Sequence, residues 1–505
     1  MFKSLALAIG AAALTVSAMA QDSGPLLDAL VKKGVLSDSE AEDIRVNLVK
    51  EYNSTSAGKL QISSFVKNLQ LFGDARLRYQ WQDVQTQRSA TNGQIVDTLN
   101  NRYRYRVRLG ATYTYDTHWS ATVRIETGTT NDSSNADWGN YWDKNGSNDA
   151  IKVGQLFLTY KTKFEIFDET STVADGKSFK TLKEPGVSVG STTYFGRAPK
   201  QILLSDAFWS NDISPEGVAE ELTFSNVGVD GLSFALRGAG YLTSNDQAIA
   251  PTTNTSTVNS SGDGGDGGLF LAQFETKYEF STGVLKGANV RLAPLYMQES
   301  SGNGLTAATS ATGTATSGSA SGAGAVPFQG NFLVLALPGE FNWKSDVFGL
   351  FAKKIPQQVF GTYGANLQSN SRIAEMYGNN GTNALGFTPL HGNNTFWNAG
   401  YVIGQNKVKG DWSAKGEYRW IEAASYTSNL PDATWANGGL NQKGFVFNAT
   451  YNVTDAITIA GTYFHSSPIG QARGAGTING NNSYGNNITN LGEVDVLQAD
   501  LVWKF

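Results

Sequence analysis

The chain has 505 residues, of which 40% are hydrophobic, 11% aromatic and only 16% charged, with a formal net charge of −5 at pH 7. It contains no cysteine, which excludes a disulfide scaffold, a cysteine-based zinc or iron–sulfur site and a cysteine nucleophile. The mean hydropathy of −0.27 excludes a bundle of membrane helices, and the charge balance gives no indication of nucleic-acid binding.

The first twenty residues have the composition of an export signal. Lys3 supplies a positive charge, residues 5–16 are apolar, and Ala18-Met19-Ala20 is a cleavage sequence. We therefore predict a signal peptide over 1–20 and an exported mature chain; the alternative is a retained N-terminal helix. No other stretch approaches the ~20 apolar residues of a membrane helix. A mature protein in a membrane would therefore have to be a closed barrel.

Residues 21–60 are predicted to form a helical segment and a linker. Apolar residues at 26, 27, 30 and 31 share one helical face, and Ser37 with Glu40 forms a capping box at the start of a second helix. A pair of helices this small cannot bury its own apolar face. We expect it to dock on another copy or on a periplasmic partner; the alternative is a leader with residual helicity. The polar run from Asn53 to Lys59 predicts a linker to a barrel over 61–505.

From Phe65 onward the hydrophobic pattern has a period of two residues. In residues 102–113, aromatic and apolar side chains occupy the odd positions and arginines most of the even ones, and residues 496–505 alternate similarly. This pattern predicts strands with one apolar and one polar face. Sixteen strands, joined alternately by short turns and long polar loops, are typical of an outer-membrane barrel.

The predicted strands cover residues 65–82, 98–115, 118–128, 151–161, 186–196, 218–226, 231–242, 268–281, 288–298, 329–342, 346–354, 396–407, 411–424, 442–453, 456–466 and 493–505. The connection near 162–185 is long where a short turn is expected. The number of strands is therefore predicted to within two.

Short motifs at both ends of the chain point to a family. The final strand carries Leu501, Trp503 and Phe505 at alternate positions, residues 26–37 form an apolar and basic leader, and residues 195–197 and 415–419 are strand motifs. On these motifs the chain resembles bacterial outer-membrane porins, and at its N-terminus putative porins and phosphate-selective-type porins.

The resemblance implies an all-β fold: a transmembrane antiparallel β-barrel of about 16 strands with a short N-terminal periplasmic helical segment. It implies an outer-membrane location in a Gram-negative-type bacterium, surrounding outer-membrane lipid and a homotrimer. It also implies that Leu501, Trp503 and Phe505 form the signal read by the barrel-assembly machinery.

Seven arginines share one face of the first three predicted strands. A row of like charges in a narrow channel favours anions, and arginine stays charged while its guanidinium binds phosphate or carboxylate. The residues predicted to line a pore are Arg76, Arg78, Arg102, Arg104, Arg106, Arg108 and Arg124. The alternative is that they pair with Asp74, Glu126 and acids of the loops.

The connection from Arg197 to Glu216 is more apolar than the other loops, so we expect it to pack against the protein. In trimeric porins the third long loop folds into the barrel, and the resemblance implies a constriction in which Asp206, Asp212 and Glu216 face the arginines. The alternative is a loop that caps the barrel outside or contacts a neighbouring subunit.

These features predict a porin that passes small hydrophilic solutes or anions by passive diffusion. No catalytic residue, metal site, cofactor or nucleic-acid partner is predicted, because His118, His391 and His465 belong to no recognisable catalytic motif. The alternative function is a non-transport surface barrel, or an exported β-sandwich, that serves adhesion or cell-surface structure.

Overall fold

The computed structural model divides the chain into two compact units, Met1–Phe65 and Val66–Phe505. The residues that it describes are 31–33, 37, 40–42, 44, 68–86, 97–128, 133–138, 150–166, 169–175, 178–184, 187–244, 267–283, 285–299, 333–346, 354–368, 394–422, 425–426, 430–469 and 491–505. The predicted signal peptide and the predicted linker lie outside these residues.

In the first unit, the predicted capping box is present. The Ser37 amide donates to a carboxylate oxygen of Glu40 at 2.9 Å, and the Glu40 amide donates to Oγ of Ser37 at 3.3 Å. The Ser37 amide and the Ser37 hydroxyl, which both donate to the Glu40 carboxylate, lower its pKa. The two backbone bonds satisfy amide groups at the start of a helix. No helix among the described residues is long and apolar enough to cross a membrane.

The second unit is built from strands. They are β1 Asn68–Thr86, β2 Asp97–Thr114, β3 Trp119–Thr127, β4 Ala136–Asp137, β5 Ile151–Ile166, β6 Glu169–Asp175, β7 Ser178–Glu184, β8 Val187–Arg197, β9 Glu216–Ser225, β10 Leu232–Ser244, β11 Gly267–Glu279, β12 Asn289–Leu292, β13 Leu295–Glu299, β14 Leu333–Ser345, β15 Ile355–Asn366, β16 Thr395–Gly404, β17 Trp412–Ile421, β18 Gln442–Asn452, β19 Ile457–Pro468 and β20 Leu491–Lys504.

The strands of this unit close into a sixteen-stranded antiparallel barrel, as the sequence predicts. Strands β12 and β13 are two segments of one wall strand, β4 is a two-residue strand beside β2, and β6 pairs only with β7. Strand β1 pairs with β20 from Asp74 opposite Lys504 to Thr86 opposite Leu491. Because the first and last strands pair, the sheet is a barrel and not a two-layer sandwich.

Alternation along the strands separates the two faces of the wall. Leu77, Val107 and Leu501 point outward and are exposed, whereas Arg106 and Gln498 point inward and are buried. An apolar outer face and a polar inner face are the arrangement of a barrel surrounded by lipid.

Two sequence expectations about the strands need comment. The strand predicted at 346–354 lies almost entirely outside the described residues, and the wall strand β15, which starts at Ile355, is not among the predicted strands. The apolar run 347–351 resembles a strand, whereas β15 contains Pro356 and two glycines, residues that are depleted in strands. The long connection near 162–185 contains the β6–β7 hairpin, which is separate from the wall and leaves the strand count at sixteen.

A glycine of β18 tests the close packing of the wall. A Cβ atom on Gly444 would lie 1.9 Å from the carbonyl oxygen of His465, whereas a Cβ on Gly461 of β19 would meet no atom within 4 Å. We expect Gly444→Ala to destabilise the barrel by about 1–3 kcal/mol, since overpacking forces the backbone to shift. Gly461→Ala is the matched control. The folded barrel runs on a gel as a band of its own, distinct from the unfolded chain, and the measurement is the temperature at which this band is lost for each variant. An equal temperature for the two variants would contradict the close packing at Gly444.

Candidate functional site

The seven predicted arginines lie on the inner face of β1, β2 and β3, and we call this group the arginine wall. Arg76 stands directly opposite Arg106 in the β1–β2 ladder, and Arg78 stands opposite Arg104. Like charges in direct cross-strand pairs destabilise a sheet. The arrangement therefore needs carboxylates close by.

Five carboxylates supply this compensation. Asp74 lies 2.8 Å from Arg106 and 2.6 Å from Arg108. The other contacts are Asp500 to Arg78 at 2.6 Å, Asp137 to Arg104 at 2.7 Å and to Arg102 at 3.9 Å, Glu126 to Arg124 at 2.8 Å, and Asp212 to Arg106 at 3.7 Å and to Arg108 at 3.6 Å. The sequence-based alternative, in which the arginines pair with Asp74, Glu126 and loop acids, thus describes the ion pairs of the β2 and β3 arginines, whereas Arg78 pairs with Asp500 of the wall strand β20.

Within the described residues the compensation is incomplete. With Lys152, which contacts Glu126 at 3.6 Å, eight cationic groups face five carboxylates in this part of the chain. Among the described ion pairs none involves Arg76, whose guanidinium donates to the amide oxygen of Asn135. The arginine wall therefore keeps a local surplus of positive charge.

The third long loop, residues 198–215, lies inside the barrel. Its Phe208 and Trp209 are almost fully buried. The Leu203 amide donates to Gln273 on β11 at 2.8 Å, and Asn398 on β16 donates to Oγ of Ser205 at 3.0 Å. Because these partners stand on separate strands, the loop extends across the interior of the barrel.

The three acids predicted for this loop have different positions. Asp212 alone reaches the arginine wall, at the distances given above. Asp206 pairs with Lys200 of its own loop at 3.5 Å. Glu216 begins β9, pairs with Arg197 at 3.6 Å and has a side chain that is 60% exposed. The roles of these acids and of the arginines in lining or narrowing a pore stay predictions.

Lys200 holds the third loop in its folded form. Its ammonium group donates to the carbonyl oxygens of Leu204, at 3.0 Å, and of Trp209. Burial lowers the pKa of Lys200, and Asp206 partly opposes this effect. Since the lysine ties both ends of the Leu204–Trp209 segment, it fixes the part of the loop that enters the barrel.

The seventh loop, of which residues 422, 425, 426 and 430–441 are described, packs against the third loop, and the sequence analysis missed it. The ring of Phe208 lies 4.6 Å from that of Phe396 on β16 and 5.9 Å from that of Tyr426 in the seventh loop. The Ser210 amide donates to the carbonyl oxygen of Leu430 at 2.6 Å. We call the buried apolar side chains of the two loops and of the strands beneath them, among them Phe208, Trp209, Phe396, Tyr426 and Trp435, the loop cluster. The available sequence signal was the presence of Tyr426 and Trp435 in a polar loop.

A second charged group, also missed, runs along the inner face from β9 to β14. Arginines and glutamates alternate across these strands, so each cation bridges two acids. The ladder consists of Glu221, Arg237, Glu275, Arg291 and Glu340, with successive contacts of 2.6, 2.7, 3.2 and 3.3 Å. Each strand contributes one charged side chain to this ladder. The five residues are therefore far apart in the sequence and form no recognisable cluster there.

Residues 95–284 match the family model described as "Putative porin". The resemblance to putative porins is confirmed. The comparison with curated proteins found no match. The matched region includes β2, β3 and the third loop, and it favours a porin-like channel over an enzyme.

Solved porin structures are also similar, at low identity. OmpF of Salmonella typhi in complex with daunomycin is 13% identical, with 88% of this chain and 99% of that chain covered and a TM-score of 0.37. OprB of Pseudomonas putida is 11% identical, with coverages of 87% and 94% and a TM-score of 0.41. A porin mutant of Rhodopseudomonas blastica is 9% identical, with coverages of 87% and 100% and a TM-score of 0.34. Similarities at this level add no functional argument.

Asp212 is expected to reduce the positive potential beside the arginine wall. Asp212→Asn removes one negative charge 3.6–3.7 Å from Arg106 and Arg108, so we expect stronger anion preference. Asp206→Asn is the control, since Asp206 pairs inside its own loop. The reversal potential in a KCl gradient measures the change, and equal effects of the two substitutions would contradict a special position for Asp212.

Lys200 is expected to keep the third loop in place. Lys200→Met removes the bonds to the carbonyl oxygens of Leu204 and Trp209, each worth about 1.5–3 kcal/mol when a charged donor is involved. We expect larger fluctuations of single-channel current and faster proteolysis within the loop. Lys286→Met, in an exposed turn, is the control. If the Lys200→Met variant shows the same current fluctuations and the same rate of proteolysis as the parent protein, Lys200 is not needed to hold the loop.

Proposed function

We propose that this protein is an outer-membrane porin through which small hydrophilic solutes diffuse passively, with a preference for anions. The observation that carries the proposal is the third loop, which lies inside a closed barrel and brings Asp212 to the arginine wall. The match to putative porins over 95–284 supports the same function.

The arrangement favours a path for hydrated ions along the side of the barrel that carries the arginine wall. The loop cluster is apolar and closely packed, so hydrated ions avoid it. The arginine wall offers charged donors, and among the described residues its seven arginines and Lys152 outnumber the five carboxylates that contact them. A surplus of one sign on the wall of a narrow pore raises the local concentration of the opposite ion. Anions would therefore be enriched beside Arg76.

The ends of the chain support export and insertion. Residues 1–20 have the features of a signal peptide. Leu501, Trp503 and Phe505 all point outward and are exposed, so they would meet lipid or the barrel-assembly machinery. The apolar face that the sequence predicts for residues 26–31 would serve a partner, and a homotrimer is the assembly that the resemblance to porins favours.

Conductance and selectivity test this function. We expect the purified protein to form open channels in a planar bilayer and Arg76→Gln to shift the reversal potential toward cations. One unit charge at about 4 Å in water is worth about 1 kcal/mol, roughly fivefold in local ion concentration. Arg291→Gln is the control, because Arg291 lies between Glu275 and Glu340 in the charge ladder.

Two results would overturn the proposal in different ways. A correctly folded barrel without conductance would show that the loop cluster closes the interior, which is the alternative of a non-transport surface barrel. Conductance with the same reversal potential for Arg76→Gln and the parent protein would keep the channel but remove the arginine wall as the source of anion preference.

A further inference from the structure

A histidine and an aspartate form a pair on the outer face of the barrel. Nδ1 of His465 on β19 lies 2.9 Å from Oδ1 of Asp495 on β20, and the two residues are register partners. Both side chains point outward, because the neighbouring Ser466 and Val494 point inward and are almost fully buried. The two residues are 30 positions apart in the chain, so no local sequence motif indicates the pair.

Two hydrogen bonds fix the orientation of this pair. The Tyr463 hydroxyl donates to Oδ1 of Asp495 at 2.6 Å, and the Trp435 indole donates to the backbone carbonyl oxygen of His465 at 3.2 Å. Among the described hydrogen bonds none involves Nε2 of His465, whose side chain is 32% exposed. A neutral imidazole that donates from Nδ1 to a carboxylate presents Nε2 as a proton acceptor. The pair therefore has the arrangement of a general base and its orienting acid.

A serine stands beside this base. Ser467 follows His465 by two residues on β19, so the two side chains share the outer face. Residues two positions apart on a strand are separated by about 6.6 Å, a gap that an imidazole and a hydroxymethyl side chain together can span. Among the described hydrogen bonds none joins them, and such a contact commonly forms only when substrate binds. Opposite Ser467 on β18 stands Lys443, which supplies a positive charge beside the hydroxyl.

Aromatic side chains surround this group on the outer face. Phe445 is the register partner of His465 and is exposed. Trp420 is the register partner of Lys443, whose ammonium group lies 5.5 Å from its ring centre, and Trp397 stacks on Trp420 at 6.3 Å. Aromatic girdles of membrane barrels lie at the head-group level of the bilayer. The ester bonds of glycerophospholipids lie between the head groups and the hydrocarbon, so they come within reach of these side chains.

We propose that Ser467, His465 and Asp495 form a catalytic triad that hydrolyses acyl esters of glycerophospholipids in the surrounding membrane. An ionisable side chain on a membrane-facing surface is costly and marks a functional site more often than a structural one. The triad faces lipid and the arginine wall faces the lumen, so this activity is additional to a channel. The inference rests on the proposed function only in placing the barrel in a membrane.

The reaction balances with water as the second substrate. Oγ of Ser467 bonds to the acyl carbon while its proton passes to Nε2 of His465; the ester C–O bond then breaks, and His465 gives the proton to the leaving alcohol oxygen, which releases a lysophospholipid. Water attacks the acyl-serine, its proton passes to Nε2, and His465 returns it to Oγ as the fatty acid leaves. Asp495 stabilises the imidazolium, and Lys443 stabilises the negative oxygen of the tetrahedral intermediate.

Hydrolysis in reconstituted vesicles tests this proposal. The full chain is inserted into phosphatidylcholine vesicles whose acyl chains carry carbon-13, and mass spectrometry measures labelled fatty acid and lysophosphatidylcholine. We expect the parent protein to release both products, and Ser467→Ala and His465→Ala each to lower the rate by about 100-fold or more. The matched controls are Ser191→Ala, which removes another hydroxyl of the outer wall, and His118→Ala, in an exposed turn. Both controls should keep the parent rate.

Covalent labelling tests the nucleophile without turnover. An alkyl fluorophosphonate reacts with a serine that an adjacent base activates, and we expect it to label the parent protein at Ser467. His465→Ala should remove the label, whereas His118→Ala should retain it. The gel band of the folded barrel shows that each variant is folded. Absence of both product and label in the parent protein would overturn the proposal, and so would release of fatty acid by Ser467→Ala at the parent rate, because the second result indicates a contaminating lipase.

Conductance of the same samples separates this proposal from the channel function. A protein that releases fatty acid through Ser467 but does not conduct would keep the triad and remove the channel. A conducting protein that neither hydrolyses the lipid nor takes the label would keep the channel and remove the triad.

Discussion

Closure of the sheet is the constraint on which the rest of this structure depends. In a hydrocarbon environment every backbone N–H and C=O group must find its partner within the protein, and the β1–β20 ladder removes the last free edges. Closure then fixes which side of each strand is inside. The period-two pattern of the sequence consequently becomes an apolar outer face and a polar interior, and the loops between strands are left at the two ends of the barrel.

Electrostatics inside the closed wall decides where some of those loops go. Arginines that face one another across β1 and β2 repel, and the wall strands themselves supply only Asp74, Glu126 and Asp500 as nearby acids. The remaining acids come from connections, Asp137 in β4 and Asp212 in the third loop. Apolar packing of the third and seventh loops on the other side keeps Asp212 in reach, so charge and burial act on the same loop.

The outer wall shows the opposite exception. Glu220, Ser191 and Thr193 interrupt an apolar face, whereas the loop cluster interrupts a polar interior. In both places the local period-two pattern is broken, and inside the barrel the break coincides with the packing of the third and seventh loops.

Alternation together with the short turns and long loops indicated the barrel class, and the apolar composition of the third loop indicated that it packs against the protein. The sequence by itself determined fifteen of the sixteen wall strands to within a few residues and the shared face of the arginines, because alternation is a local property of each strand. It failed at β15, where Pro356 and two glycines hide a strand. Only the tertiary structure decided which acid meets which arginine, that Asp212 alone of three loop acids reaches the wall, and that the seventh loop joins the third. These contacts join residues far apart in the chain, and their distances follow from barrel closure and loop packing, which no local pattern encodes.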